Sequence, residues 1–216
     1  MTARSARVIP DDTVGREEAV AVLRAGGIVA FPTDTVYGIA VALRSAGGIE
    51  RLFHVKRRPP ERGIALLLAD AEQANEVGLM DAAARRLAQA FWPGPLTLVL
   101  PARAGADLPA ALTGDAATVG VRLPDHPTPR ALAAALGPVP VTSANLSGAP
   151  DLTDAVAVFE SLGDRIDLIL DGGRTRGAVP STVVDLTVNP PVVLREGALG
   201  AARVLAALDG LSQGTT

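Results

Sequence analysis

The chain has 216 residues, a net charge of -3 at pH 7 and a pI near 5.4, which suits one sizeable domain and argues against a global basic footprint for nucleic acid. Hydrophobic residues make up 48% and aromatics only 3%, so the interior must be built from Ala, Val, Leu and Ile, and a site resting on stacked rings is disfavoured. With no cysteine and only His54 and His126, disulfides and thiolate chemistry are excluded and a multi-histidine metal centre is disfavoured.

The N-terminal stretch "MTARSARVIPDD" has no apolar core of signal-peptide length, and no apolar run is long enough for a membrane span. The protein is therefore expected to be soluble and cytoplasmic. Residues 17–25 place Ala19, Val22 and Leu23 at helical spacing, and "AGG" ends that helix before the strand "GIVAF". "PTDTVYG" then turns the chain into a second strand, "GIAVAL". A helix through Ile49, Leu52 and Phe53 follows, ending in the basic run "KRR" that Pro59 and Pro60 close. Cations are favoured there because the last carbonyls of a helix carry partial negative charge.

Residues 64–69 read as a strand and 81–91 as an amphipathic helix, and "WPGPLTLVLPA" reads as a turn and a strand. "ATVGVRLP" is a strand with Arg122 near its end, "PRALAAALG" a helix, and "VPVTSANLSG" a short strand entering a polar loop. A helix from 153 onwards, the strands "LILDGG", "STVVDL" and "PVVLREG", and a helix over 200–208 complete the chain. Strand and helix alternate without a strict βαβ rhythm. This predicts an α/β (α+β mixed) fold: a twisted, largely antiparallel mixed sheet flanked by helices. Neither a repeat nor a composition break divides the chain. It reads as a single domain over 1–216, with its core at about 15–208 and a loose tail at 209–216.

Polar residues collect at strand ends and turns, in "PTDTVYG", "KRRPPER", "TSANLSG" and "PSTVVD". Loops at strand ends of such folds converge on one crevice, so these segments are expected to line one site for a polyphosphate and a small polar metabolite. Lys56 is the only lysine, a compact point charge, and it is read as exposed, with truncation costing about 0.5 kcal/mol or less. Arg58, which precedes proline, is expected to be extended and to share a side with Lys56. The plainer reading of the triplet is a solvated helix end. Likewise Thr142, Ser143 and Asn145 suit either phosphate binding or an Asx or ST turn. Arg122, near a buried strand end, needs an anionic partner, either a structural carboxylate or a bound one. Phosphate-loop, dinucleotide-fold and nucleophile-elbow motifs are all absent.

Taken in order, "AFPTDTVYGIA", "KRRP", "WPGPLTLVL", "VGVRLPDHP", "TSANLSG", "STVVDL" and "LREG" resemble the Sua5/YrdC/YciO family, the L-threonylcarbamoyladenylate synthases of the short single-domain type, over residues 15–208. They include the family's K-x-R and S-x-N signatures, at Lys56/Arg58 and Ser143/Asn145. The resemblance implies a large cleft, the YrdC-like fold also described as DHBP synthase-like, and a nucleotidyltransferase. It would join L-threonine, bicarbonate or CO2, and ATP into threonylcarbamoyl-AMP and pyrophosphate. A tRNA threonylcarbamoyl transferase complex would then carry the group to tRNA, giving threonylcarbamoyladenosine.

Carried over by motif, Lys56 and Arg58 are the expected catalytic pair on the triphosphate. Arg62, Thr118, Ser143, Asn145, Thr153 and Arg195 complete the ATP site, and Thr35, Arg122 and Ser181 bind threonine. Magnesium is expected to travel with ATP, held mainly by phosphates and water. Displacement at phosphorus by a preformed nucleophile needs positioning and charge neutralisation more than an acid or base, which fits the scarcity of His and Cys. Where many relatives have Asn-Pro, this chain has Arg62-Gly63, and Leu67 replaces a histidine. Arg57 has no assigned role. A weak RNA-binding module on the same concave surface is the second function class, opposed by the acidic total and the few lysines and aromatics. A paralogue acting on another carbamate is the third.

Overall fold

Aspartates start three of the helices. Asp12, Asp81 and Asp154 accept from the backbone N–H of Gly15, Ala84 and Ala157 at 2.8, 2.8 and 2.9 Å, each satisfying a donor that the first helical turn leaves unpaired. They open α1 (Thr13–Arg24), α4 (Ala82–Phe91) and α7 (Ala155–Leu162). The computed structural model describes residues 5–57, 64–177 and 179–209. The remaining helices are α2 (Gly48–Lys56), α3 (Gln73–Val77), α5 (Ala110–Thr113), α6 (Pro127–Leu136) and α8 (Ala201–Asp209). Because of its cap, α1 begins several residues before the apolar spacing that marks it in the sequence. Pro127 occupies the first turn of α6, where its missing N–H costs nothing.

The strands are β1 (Arg7–Pro10), β2 (Val29–Phe31), β3 (Gly38–Ala40), β4 (Ala65–Leu67), β5 (Leu96–Pro101), β6 (Thr118–Arg122), β7 (Val139–Ser143), β8 (Leu168–Asp171), β9 (Thr182–Asp185) and β10 (Val192–Arg195). Among the described residues they form one sheet in the order β1-β8-β2-β3-β7-β4-β6-β5-β9-β10. Five pairings are antiparallel and four parallel, so the sheet is mixed, with antiparallel pairs in a narrow majority. Three elements go beyond the sequence reading: the edge strand β1 and the short helices α3 and α5. β1 is mostly exposed and pairs in parallel with β8, so neither alternation nor a hairpin turn announces it.

Alternation along the central strands separates two surfaces. Leu66, Leu96, Leu98, Leu100, Val119, Val121 and Val184 enter the larger core. A second core packs Leu67, Val139 and Val141 against Leu132 and Ala133 of α6, and Val29, Leu168 and Leu170 against Ala19 and Leu23 of α1. Residues facing away from the larger core at the centre of the sheet, including Ala65, Thr97, Val99, Gly120 and Val183, border a cleft of about 860 Å³.

Candidate active site

Alternate residues of β4, β5, β6 and β7 form the cleft floor, and the β2–β3 turn, the end of α2, the segment after β7 and the β9–β10 region form its walls. The sequence-predicted residues Thr35, Lys56, Thr118, Arg122, Ser143, Asn145, Ser181 and Arg195 all line it. Thr153 is not among the lining residues; its carbonyl accepts from the Thr175 N–H at 2.8 Å. Arg58 and Arg62, with the prolines expected to hold them extended, lie outside the described residues.

At one end of the cleft, Arg122 ends β6 and is buried. It donates through Nη2 to Asp34 Oδ1 at 2.6 Å, through Nη1 to Thr35 Oγ1 at 3.1 Å, and through Nε to the Gly94 carbonyl at 3.1 Å. The anionic partner it requires is thus Asp34 within the chain. Three of the five guanidinium N–H bonds are used, which leaves one on each terminal nitrogen. Burial pulls Arg122 below the usual guanidinium range, and the Asp34 carboxylate opposes that shift. Thr33 donates its hydroxyl proton to the Val36 carbonyl at 2.7 Å, so Thr35 must donate to Thr33 Oγ1 across 3.0 Å. Thr35 is then oriented to accept from Arg122.

Ser181 joins this end to the next. Its hydroxyl lies 2.8 Å from Thr97 Oγ1, while Arg195 donates through Nε and Nη2 to its carbonyl at 3.1 and 2.8 Å. Thr97 was missed in the sequence, although "LTLVL" sets it opposite three leucines, a polar side chain on a strand whose other face is wholly apolar. Gly197 is required beside it: a Cβ there would meet the Pro180 carbonyl oxygen at 2.2 Å and the Ser181 carbonyl carbon at 2.6 Å. Arg195 is held below the usual guanidinium range by burial, with Asp151 opposing and the like charge of Arg122 adding to the shift. Arg195 thus borders the cleft as a second guanidinium, with Asp151 as the nearby opposing carboxylate.

At the other end, Lys56 is buried, at 2% exposure, and is not the exposed residue expected from its place in a basic run. Its ammonium donates to the Ser143 carbonyl, to Ser143 Oγ at 3.2 Å and to Asn145 Oδ1 at 2.9 Å. The Ser143 hydroxyl donates to Asn145 Oδ1 at 2.6 Å, and Asn145 Nδ2 donates to the Ala149 carbonyl at 2.6 Å. Arg57 takes the left-handed conformation, φ 50°, and borders a separate open surface pocket with Phe53, His54 and Arg165. The basic run is therefore divided between two faces.

Tyr37 supports the cleft wall from inside. Its hydroxyl donates to the Gly173 carbonyl at 2.8 Å and accepts from the Gly172 N–H at 3.2 Å, and burial pushes it up to about 12, so it stays neutral. Among the described residues no group of three or more His, Asp or Glu is placed to hold a metal, and Asp151 is the only carboxylate among the lining residues. Such a donor set fits a magnesium ion held chiefly by the phosphates it accompanies and by water.

Comparison with known proteins decides the family. The Sua5/YciO/YrdC family model, described as telomere recombination, matches residues 21–197. The chain belongs to the Sua5/YciO/YrdC family. A threonylcarbamoyl-AMP synthase of Pyrococcus abyssi is 41% identical over 183 residues, which is 84% of this chain and 53% of that protein. The crystal structure of P. abyssi Sua5 complexed with L-threonine superposes with a TM-score of 0.86 at 37% identity, over 94% of this chain and 60% of that one. E. coli YciO superposes at 0.83 with 30% identity, over 92% of this chain and 98% of that one. This family member thus spans little more than half the length of the P. abyssi relative. Among the described residues no helix is long and apolar enough to cross a membrane.

Proposed function

We propose that this Sua5/YciO/YrdC-family chain is a nucleotidyltransferase that makes L-threonylcarbamoyl-AMP and pyrophosphate from L-threonine, bicarbonate or CO2, and ATP. The observation that carries this reading is that one cleft of about 860 Å³ is lined by Arg122, Thr35 and Ser181 together with Thr118, Ser143, Asn145 and Arg195. An amino acid and a nucleotide bound there would be neighbours, in a cavity of the size usual for such ligands. The similarity to a Sua5 that binds L-threonine and to a threonylcarbamoyl-AMP synthase supports it.

The threonine carboxylate takes the remaining N–H groups of Arg122, and the Ser181 hydroxyl, oriented by Thr97, meets the amino acid's polar end. The carbamate formed on the threonine amine attacks the α-phosphorus: a carbamate oxygen–phosphorus bond forms, and the bond to the bridging oxygen breaks as pyrophosphate leaves. No histidine or cysteine lines the cleft and Tyr37 is held neutral, which suits a nucleophile that arrives as the preformed carbamate anion. Arg195 and the segment after β7 neutralise and position the phosphates, and Arg58 and Arg62 add charge to the same task. Magnesium carried with ATP would supply further neutralisation, and among the described lining residues Asp151 is the carboxylate that would help hold it. A tRNA-modifying transferase complex consumes the product, and these steps take place in the cytoplasm.

The test is release of pyrophosphate from ATP and bicarbonate with each amino acid in turn. Release that requires threonine is the expected result. The likeness to YciO favours a second reading, the same transfer on a different carbamate, and selectivity for another amino acid would select it. Tight RNA affinity with a steep salt dependence and no pyrophosphate release would replace both with an RNA-binding role.

A further inference from the structure

Lys56 closes α2 and touches three residues at the end of β7 and in the segment after it, Ser143, Asn145 and Ser147. Its ammonium serves the Ser143 carbonyl, Ser143 Oγ and Asn145 Oδ1, and its own carbonyl accepts from the Ser147 N–H at 2.9 Å. The segment is closed further by Asn145 Nδ2 on the Ala149 carbonyl, by Ala149 N–H on the Leu146 carbonyl at 3.0 Å, and by Gly148 at φ 84°. Among the described residues the N–H groups of Asn145 and Gly148 have no acceptor, and both residues line the cleft.

We propose that Lys56 is a positioning residue: it shapes the Ser143–Ala149 segment into the anion-binding wall and does not itself bind the phosphates. The inference rests on the nucleotide reading above and deepens it. An ammonium has three N–H donors, and those of Lys56 have acceptors within the fold. At 2% exposure it would have to abandon them to reach a ligand, giving up the donor to the part-buried Ser143 carbonyl and leaving Asn145 Oδ1 to the Ser143 hydroxyl alone. Its charge still acts on the site. An ammonium on Asn145 Oδ1 polarises that amide and strengthens the second Nδ2–H, and the backbone N–H groups of Asn145 and Gly148, without acceptors among the described residues, are the donors the segment holds available for phosphate oxygens. Asn145 and Ser143 then act through a geometry that Lys56 sets.

A single lysine makes this directly measurable on the unaltered protein, since 15N-lysine labelling gives one ammonium resonance. We expect a resolved, slowly exchanging signal without nucleotide that persists when ATP is added. A signal lost to water exchange in the free protein and sharpened only by ATP overturns the proposal. In a double-mutant cycle on the ATP dissociation constant, Lys56→Met (K56M) should add less than twofold to the loss caused by Asn145→Ala (N145A). An added loss equal to that of Lys56→Met alone marks an independent phosphate contact and also overturns it. If the unaltered protein binds no ATP, the nucleotide reading falls, and the ammonium signal in the free protein alone decides whether Lys56 holds the segment.

Discussion

Arg195 and Ser181 are locked together by two donations from one guanidinium to one carbonyl, at 3.1 and 2.8 Å, so the cation proposed to meet the nucleotide and the hydroxyl proposed to meet the amino acid share one support. A lysine cannot reproduce that fork. Arg195→Lys should therefore weaken both ATP and threonine binding by about tenfold, the ~1.4 kcal/mol of a lost charge-assisted hydrogen bond. Calorimetric titration of each ligand checks this, and an unchanged threonine affinity would separate Arg195 from Ser181.

Asp34 and Arg122 form an ion pair with side-chain exposures of 12% and 7%. Removing the carboxylate strands a buried guanidinium. Asp34→Ala should cost about 3 kcal/mol in urea unfolding, and a loss under about 1 kcal/mol would mean that solvent or another group replaces Asp34 at little cost.

Glycine at 197 admits the backbone of Pro180 and Ser181 at distances no Cβ tolerates. Gly197→Ala should destabilise by about 2 kcal/mol through overpacking and depress pyrophosphate release beyond what the stability loss explains, because Ser181 is displaced. Activity measured well below the melting temperature separates the two effects.

His126 caps α6 by accepting from the Thr128 N–H at Nδ1, 3.3 Å away. Burial lowers its pKa, with Asp11 and Asp34 opposing and Arg16 and Arg176 adding to the shift. The unfolded chain therefore binds the proton more readily. The contribution of His126 to stability is complete above about pH 6.5 and is lost as pH falls below it. Protonation would also turn the capping nitrogen into a donor. His126→Asn, which keeps an acceptor without a titration, should flatten the acid side of the stability profile when urea unfolding is compared at about pH 5.5 and 7.5.

Lys56→Ala, expected from the sequence to leave stability nearly unchanged, should instead cost about 3 kcal/mol of stability, since it empties the space of a buried four-carbon stem and removes the donor to Ser143 and Asn145. A melting temperature shifted by less than about 2 °C would contradict this.

The periodicity of apolar residues and the turn chemistry around them were sufficient to locate most strands and helices, because each such element carries its own burial pattern within a few residues. The same local logic placed Thr35, Arg122, Ser143, Asn145 and Ser181 at strand ends or the turns beside them, the family resemblance added Thr118 and Arg195, and the structure gathers all of them on one cleft. Local pattern could not reveal β1, whose partner β8 lies about 160 residues onward, or that Thr97 faces Ser181 across a parallel pair of strands. It also gave no sign that Asp34 neutralises Arg122, or that Lys56 turns inward while Arg57 lies on another face. Burial of a charge, and the partner that makes it tolerable, depend on which distant segments fold against it; that is a property of the packed chain and leaves no mark on the residues next to it in sequence.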